Sequence, residues 1–315
     1  MADPRVQNVD NFTPTQHHKP GPILRSALDN THDGSSNTMR HFRVCIIGAS
    51  TAIGKGLATS YAKAGCKALL LAGRDLVALQ RVAETVRAIS RRVNVYVQFC
   101  DITSASDVHH LACFALEHLG GFLDVVAINS GYSGPLQLKI TDNSAKDGEW
   151  AQAFAVNVQG TYNVAHYFVP MLLASPAPSD AKSFIVVGSI AGAITKGAIA
   201  NSKYCISKMA QTRIVEHLAC QFGGEEEGGL FAVAVHPGAV LTETAAQSAP
   251  EEFKPHLIDD PELCGAFCVW LTRDSSSMRW LNGRLLSATW DPEELLSRKE
   301  DIIKGDLLKY EVKTH

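Results

Sequence analysis

From Arg43 onward, short and almost uninterrupted apolar runs alternate with longer helical stretches, and that alternation restricts the fold more than any other feature. The runs are RVCIIG (43–48), KALLLAG (67–73), VNVYVQF (93–99), FLDVVAIN (122–129), SFIVVG (183–188), LFAVAV (230–235) and the region of GRLLSA (283–288). Helices are expected between them, at about 54–65, 76–91, 105–119, 148–174, 203–222 and 261–273. A strand that is apolar at nearly every position is buried on both faces, the situation of a parallel sheet covered by helices on each side. Right-handed crossovers then give one α/β domain, a Rossmann-type doubly wound sheet of seven parallel strands. The chain's 315 residues suffice for a core of that size.

The flanks read differently. Residues 1–40 are rich in Asn, Thr, His, Pro, Gly and Ser without periodicity, so they are expected to form a disordered N-terminal arm, with His17 and His18 solvated. The catalytic domain is expected over 41–290 and a C-terminal tail over 291–315. The formal net charge of -3 implies no general attraction to nucleic acid or anionic membrane. No apolar run reaches the roughly 20 residues that span a bilayer. The N-terminus lacks a signal-peptide core and carries Asp3, Asp10, Asp29 and Asp33, so a soluble, cytoplasmic protein is expected. The eight cysteines include no CxxC pair, and Cys264 and Cys268 have no partnering ligand nearby in sequence, so no metal site is expected.

Chemistry-bearing residues collect where the apolar runs end. The first run leads into Gly48-Ala-Ser50-Thr-Ala-Ile53-Gly54-Lys-Gly56 and then a helix. Gly48 suits a sharp turn and Gly54 a helix start close to the sheet, and free N–H groups at that start attract a pyrophosphate. At the end of the second run an acidic residue would bond ribose hydroxyls in an NAD site. This chain offers Gly73 and then Arg74, whose guanidinium can grip a 2′-phosphate, so NADP(H) is the expected cofactor. Tyr204-Cys-Ile-Ser-Lys208 puts a phenol and an ammonium on one helix face. A neighbouring ammonium is expected to lower the phenol pKa and make Tyr204 a proton shuttle. Ser189, in Gly188-Ser189-Ile190, stands where a hydroxyl can donate to a substrate oxygen, and Asn157 lies on the long preceding helix.

These elements, in this order over about residues 43 to 288, resemble the short-chain dehydrogenase/reductase family. The glycine turn is similar to the family's TGxxxGIG, with Ile47 for the Thr and Ala52 for the middle Gly, and Asn129-Ser130-Gly131 is similar to its NAG element. The resemblance implies that Gly48, Ser50, Ile53, Gly54, Asp101 and Asn129 line the cofactor, with Asp101 in the adenine pocket. It implies that Val240 and Thr242, in His236-Pro-Gly-Ala-Val-Leu-Thr242, hold the nicotinamide amide. It also implies that Tyr204 transfers the proton, Ser189 orients the oxygen, Lys208 reaches the nicotinamide ribose, and Asn157 holds a relay water. Residues near 243–260 resemble the substrate lid, and 282–291 resemble filamentous-fungal members, which suggests specialised metabolism.

The function expected is therefore NADP(H)-dependent reduction of a ketone or aldehyde, because cytosolic NADP pools are usually kept reduced. A secondary-alcohol dehydrogenase working oxidatively and a catalytically silent cofactor-binding regulator are the alternatives. The partners expected are a small carbonyl or alcohol substrate and a second or further copies of the chain, as a homodimer or homotetramer.

Overall fold

The computed structural model describes residues 8–9, 11–30, 39–142, 146–175, 182–226 and 229–312. Seven parallel strands form one sheet in the order β3-β2-β1-β4-β5-β6-β7. They are β1 (Arg43–Ile47), β2 (Ala68–Gly73), β3 (Asn94–Phe99), β4 (Val125–Ile128), β5 (Ser183–Val187), β6 (Phe231–His236) and β7 (Leu285–Ser287). The helices are α1 (Pro22–Leu28), α2 (Ala52–Lys63), α3 (Leu76–Ile89), α4 (Ala105–His118), α5 (Glu149–Phe154), α6 (Gly160–Leu173), α7 (Ser202–Phe222), α8 (Glu243–Ser248), α9 (Pro261–Arg273), α10 (Pro292–Ser297) and α11 (Lys299–Lys304). A π-helical turn, Ala155–Gln159, joins α5 to α6.

The apolar runs divide their side chains between two cores. In β1, Val44 and Ile46 enter the layer made with α1, α2, α3 and α9, and Cys45 and Ile47 enter the layer made with α4, α6 and α7. The same alternation sends Val125 and Ala127 of β4 one way and Val126 and Ile128 the other. Strands of this kind have no solvent face, so their continuous hydrophobicity follows from two-sided burial. Only the edge strand β3 departs, with Asn94 and Phe99 exposed at its ends.

Helices α2 and α9 cross with their backbones almost touching. A Cβ on Gly56 would stand 2.2 Å from the Pro261 carbonyl oxygen, and one on Gly265 would stand 2.4 Å from that of Gly56. Lys63 and Glu262 close the crossing with an ion pair of 2.7 Å. Cys264 and Cys268 are fully buried on α9 as small apolar side chains.

Two expectations about the flanks are corrected. The described part of the arm is packed rather than free. Leu24 is fully buried beneath α9, and Thr13 is fully buried as well. Gln16 bridges to Trp290, whose indole N–H donates to the Val9 carbonyl at 2.9 Å. The two histidines each bind an aspartate, His17 to Asp291 at 2.9 Å and His18 to Asp259 at 2.6 Å. Backbone bridges and single side-chain pairs have no sequence period, which is why the segment reads as unstructured. The tail likewise forms α10 and α11, burying Leu295 and Ile302, and residues beyond them cover the outer edge of β7 through Leu285 N–H donating to the Leu308 carbonyl. The rest of the arm and residues 313–315 lie outside the described residues.

Removing side-chain volume at Leu24 tests whether this segment is part of the core. Leu24→Ala is expected to destabilise the protein by about 2–5 kcal/mol, the range for a buried leucine truncation. Urea unfolding measures it, and an unchanged midpoint would return residues 11–30 to the status of a dispensable arm.

Candidate active site

Burial of both sheet faces leaves the strand ends as the places where polar groups can meet. The order of strands places β1 beside β4, with β2 and β3 on one flank and β5 to β7 on the other. Crossovers diverge there and open a crevice at the C-terminal edge of the sheet.

The glycine turn sits at that point. Gly48 has φ +86°, and a Cβ there would meet the Ser130 amide nitrogen at 2.6 Å. Gly54 opens α2 so close to the turn that a Cβ would lie 2.1 Å from the Gly48 carbonyl oxygen. Asn129, at the end of β4, ties the two together. Its Nδ2 donates to the Gly48 carbonyl and to Thr51 Oγ1, both at 2.8 Å. Thr51 in turn caps α2 by accepting from Gly54 N–H. Ser50 is half-buried beside Gly73, and Ile53 is half-buried with its side chain packed on the core.

Arg74 stands just past β2, exposed and without a hydrogen bond or ion pair among the described residues. Asp75 next to it caps α3 by accepting from Ala78 N–H. Asp101 follows β3, but it is not a helix cap. Its Oδ1 accepts from the amide and hydroxyl of Thr103 at 2.9 and 2.8 Å, while Ser104 caps α4.

On the other flank the structure brings Asn157, Ser189, Tyr204 and Lys208 to one end of the sheet. Ser189 leaves β5 and starts a 3₁₀ turn, Ile190–Ala193, that packs on α7. Its hydroxyl is hydrogen-bonded to that of Tyr204. Lys208 lies one turn further along α7, 4% exposed, with Nζ 5.8 Å from the centre of the Tyr204 ring. Nζ donates to the Val187 carbonyl at 2.9 Å and to Gln211 Oε1 at 2.8 Å. Asn157 is fully buried in the π turn. Its carboxamide accepts from Tyr132 N–H and donates to the Tyr132 carbonyl and to Ser207 Oγ, each at 2.8 Å. A Cβ on Gly131 would lie 3.6 Å from both Asn157 Oδ1 and Lys208 Nζ, so this glycine leaves the approach to the pair open.

The electrostatics differ from the expectation that Lys208 would lower the Tyr204 pKa. Burial raises the phenol, and the Ser189 hydrogen bond works against that rise. Burial also pulls Lys208 down to about 7. Its two protein acceptors lie on the side of β5 and Gln211 rather than on the phenol oxygen. Tyr204 is therefore held protonated.

The exit from β6 completes the rim. His236 has a buried Nδ1 with no hydrogen-bond partner among the described residues, and burial followed by the nearby Lys208 charge pulls its pKa to about 4, which keeps the ring neutral. Asp259 binds Ala239 N–H with one carboxylate oxygen and His18 with the other, so the N-terminal segment reaches this turn. Val240 is buried. Thr242 donates its N–H to the Val240 carbonyl at 2.8 Å, and its Oγ1 caps α8 by accepting from Ala245 N–H.

Sequence reading passed over Thr51, Gln211, Thr161 and Asp259, and read His18 as solvated. Helical spacing could have found two of them, since Gln211 is three residues after Lys208 and Thr161 four after Asn157. Nothing local marks Asp259 or His18, which are 241 residues apart.

Comparison with known proteins bears on the family and the fold. The family described as short chain dehydrogenase matches residues 43–252. Short chain dehydrogenase pgmD of Aspergillus terreus is 33% identical over 307 residues, covering 95% of this chain and 93% of that protein. Short chain dehydrogenase andI of Emericella variicolor is 31% identical, covering 96% of this chain and 97% of that protein. Among solved structures, a 7α-hydroxysteroid dehydrogenase complexed with NADH and 7-oxo glycochenodeoxycholic acid superposes with a TM-score of 0.69 at 22% identity, covering 81% of this chain and 96% of the other. A short chain dehydrogenase from Shigella flexneri complexed with NADP gives 0.67 at 23% identity, covering 80% and 99%. The Rossmann-type sheet, the matched segment and the fungal relatives together establish that this chain belongs to the short-chain dehydrogenase/reductase family of oxidoreductases.

Proposed function

We propose that the protein reduces a ketone or aldehyde to an alcohol at the expense of NADPH, with Tyr204 as proton donor. The observation that carries the reading is the Ser189–Tyr204 hydrogen bond at the mouth of the crevice, with Lys208 one turn along the same helix. A phenol held protonated by burial is prepared to give its proton to a developing alkoxide, which favours reduction over the oxidative direction.

A nicotinamide dinucleotide suits the residues present. The unpaired guanidinium of Arg74 stands ready for a 2′-phosphate. The turn of Gly48, Ser50, Ile53 and Gly54, held by Asn129, would receive the pyrophosphate, and Asp101 would border the adenine. The orphaned Nδ1 of His236 and the third N–H of Lys208 face the other end, where Val240 and Thr242 would hold the nicotinamide. When bound, the cofactor supplies the hydride. Ser189 orients the substrate oxygen by hydrogen bonding. Tyr204 releases its proton to that oxygen, and Lys208 stabilises the phenolate left behind. Asn157 fixes the loop at Tyr132 and the π turn through its carboxamide.

Residues 243–260 fit a substrate lid, with exposed Leu241 just before it and exposed Ile258 near its end offering apolar contact. The outward side chains Tyr162 on α6 and Met209 on α7, exposed by 54% and 41%, suit assembly as a homodimer or homotetramer. No described helix is long and apolar enough to cross a membrane, and we read the protein as cytoplasmic. Its fungal relatives support a role in specialised metabolism.

Cofactor choice is tested at Arg74. Losing one charge-assisted contact costs about 1.5–3 kcal/mol. Arg74→Ala is therefore expected to weaken NADPH binding by roughly ten- to a hundred-fold, with little effect on NADH. Fluorescence titration measures both, and equal wild-type affinity for the two cofactors would sink the NADP assignment.

The chemistry is tested at Tyr204. Tyr204→Phe keeps the ring and its packing, so fold and NADPH binding survive, while turnover on accepted ketones falls about 10²–10⁴-fold or more. Lys208→Met loses turnover and also weakens NADPH binding. Near wild-type turnover by Tyr204→Phe would mean that another group is the acid.

A further inference from the structure

Behind Lys208 lies a polar chain that the proton-transfer reading does not use. Gln211 and Thr161 are completely buried, on facing helices α7 and α6. Lys208 Nζ donates to Gln211 Oε1, Gln211 Nε2 donates to Thr161 Oγ1, and Thr161 Oγ1 donates to the Asn157 carbonyl, each at 2.8 Å. Every donor points the same way, from the ammonium to the carbonyl of the π turn. Chains of this kind polarise one another and fix side chains that would otherwise be free to rotate.

We propose that Gln211 is a positioning residue for Lys208, its carboxamide gripped from behind by Thr161 so that it aims the ammonium and links it through protein atoms to the Asn157 carbonyl. This rests on the reading of Lys208 as the partner of Tyr204. An ammonium has three N–H donors. Val187 and Gln211 take two of them, which leaves one for a ligand. A leucine at position 211 would remove an acceptor and let the lysine swing. A glutamate would fix its charge. The neutral amide does neither, holding position while leaving Lys208 able to titrate near neutrality.

The groups that face Lys208 allow this assignment to be isolated. On α7 there is the Tyr204 phenol, from β6 the neutral His236, from β5 the Val187 carbonyl, and from the π turn and α6 the uncharged Asn157 and Thr161. None of these is a carboxylate, so the acceptor at 211 is the polar neighbour whose replacement changes the lysine's hydrogen bonding directly.

The test is the side-chain titration of Lys208, read by NMR in full-length protein carrying ¹³C-labelled lysine, with the signal assigned from its loss in Lys208→Met. Gln211→Leu is expected to lower the midpoint by about one pH unit, because the charged form loses a hydrogen bond. Gln211→Glu is expected to raise it, and Thr161→Val to lower it by less. Where turnover is measurable, its alkaline limb is expected to move in the same directions. A role confined to packing would change the melting temperature of each variant without opposite shifts. Midpoints that do not move in folded Gln211→Glu and Thr161→Val overturn the proposal, even if the leucine variant fails to fold. If the midpoints move as expected but Tyr204→Phe keeps its turnover, the positioning stands and the proton-transfer reading is what fails.

Discussion

Two-sided burial of the parallel sheet is the constraint on which the rest of this molecule depends. β1, β2, β4, β5 and β6 give alternate side chains to two apolar layers, so no charged group can stand on either face of them without losing its hydration. Polar chemistry is confined to the strand ends, and the parallel direction brings the C-terminal ends to one edge. Asp101 after β3, Arg74 after β2, the glycine turn after β1, Asn129 after β4, Ser189 after β5 and the His236 turn after β6 are consecutive stations along that edge.

Lys208 is the exception that tests the rule. It enters from α7 and carries its nitrogen below the rim, where burial works against its charge. The surroundings answer with a strand carbonyl and a buried amide rather than with a carboxylate. A carboxylate would hold the charge permanently. The acceptors present are uncharged, and burial holds Lys208 low and the neighbouring phenol high.

The termini add a further support. Residues 11–30 and 291–312 pack on one another and on the main domain, and two successive histidines clasp aspartates from different places in it. His17 reaches the cap of α10, and His18 reaches Asp259, which holds the turn after β6. The N-terminal segment thus braces the turn after β6 and the start of α9.

Sequence by itself determined the strands, the doubly wound topology and most of the rim. Continuous apolar runs have a single stable use in a chain of this length, and Gly48, Tyr204 and Lys208 owe their places to turn sterics and helical period, both of which are local. Tertiary structure alone decided which polar groups would be satisfied by which partners. Asn157 could be marked as a polar residue in an apolar helix, but not that Tyr132 and Ser207 would occupy its carboxamide. An arm without periodicity could not be seen to dock, because its contacts are made by Thr13, Gln16, His17 and His18 one at a time, to residues more than two hundred positions away. The sign of the Tyr204 shift was out of reach for the same reason. It depends on where the Lys208 nitrogen points and how deeply both groups are buried, and those are set by α6, β5 and α7 meeting in space.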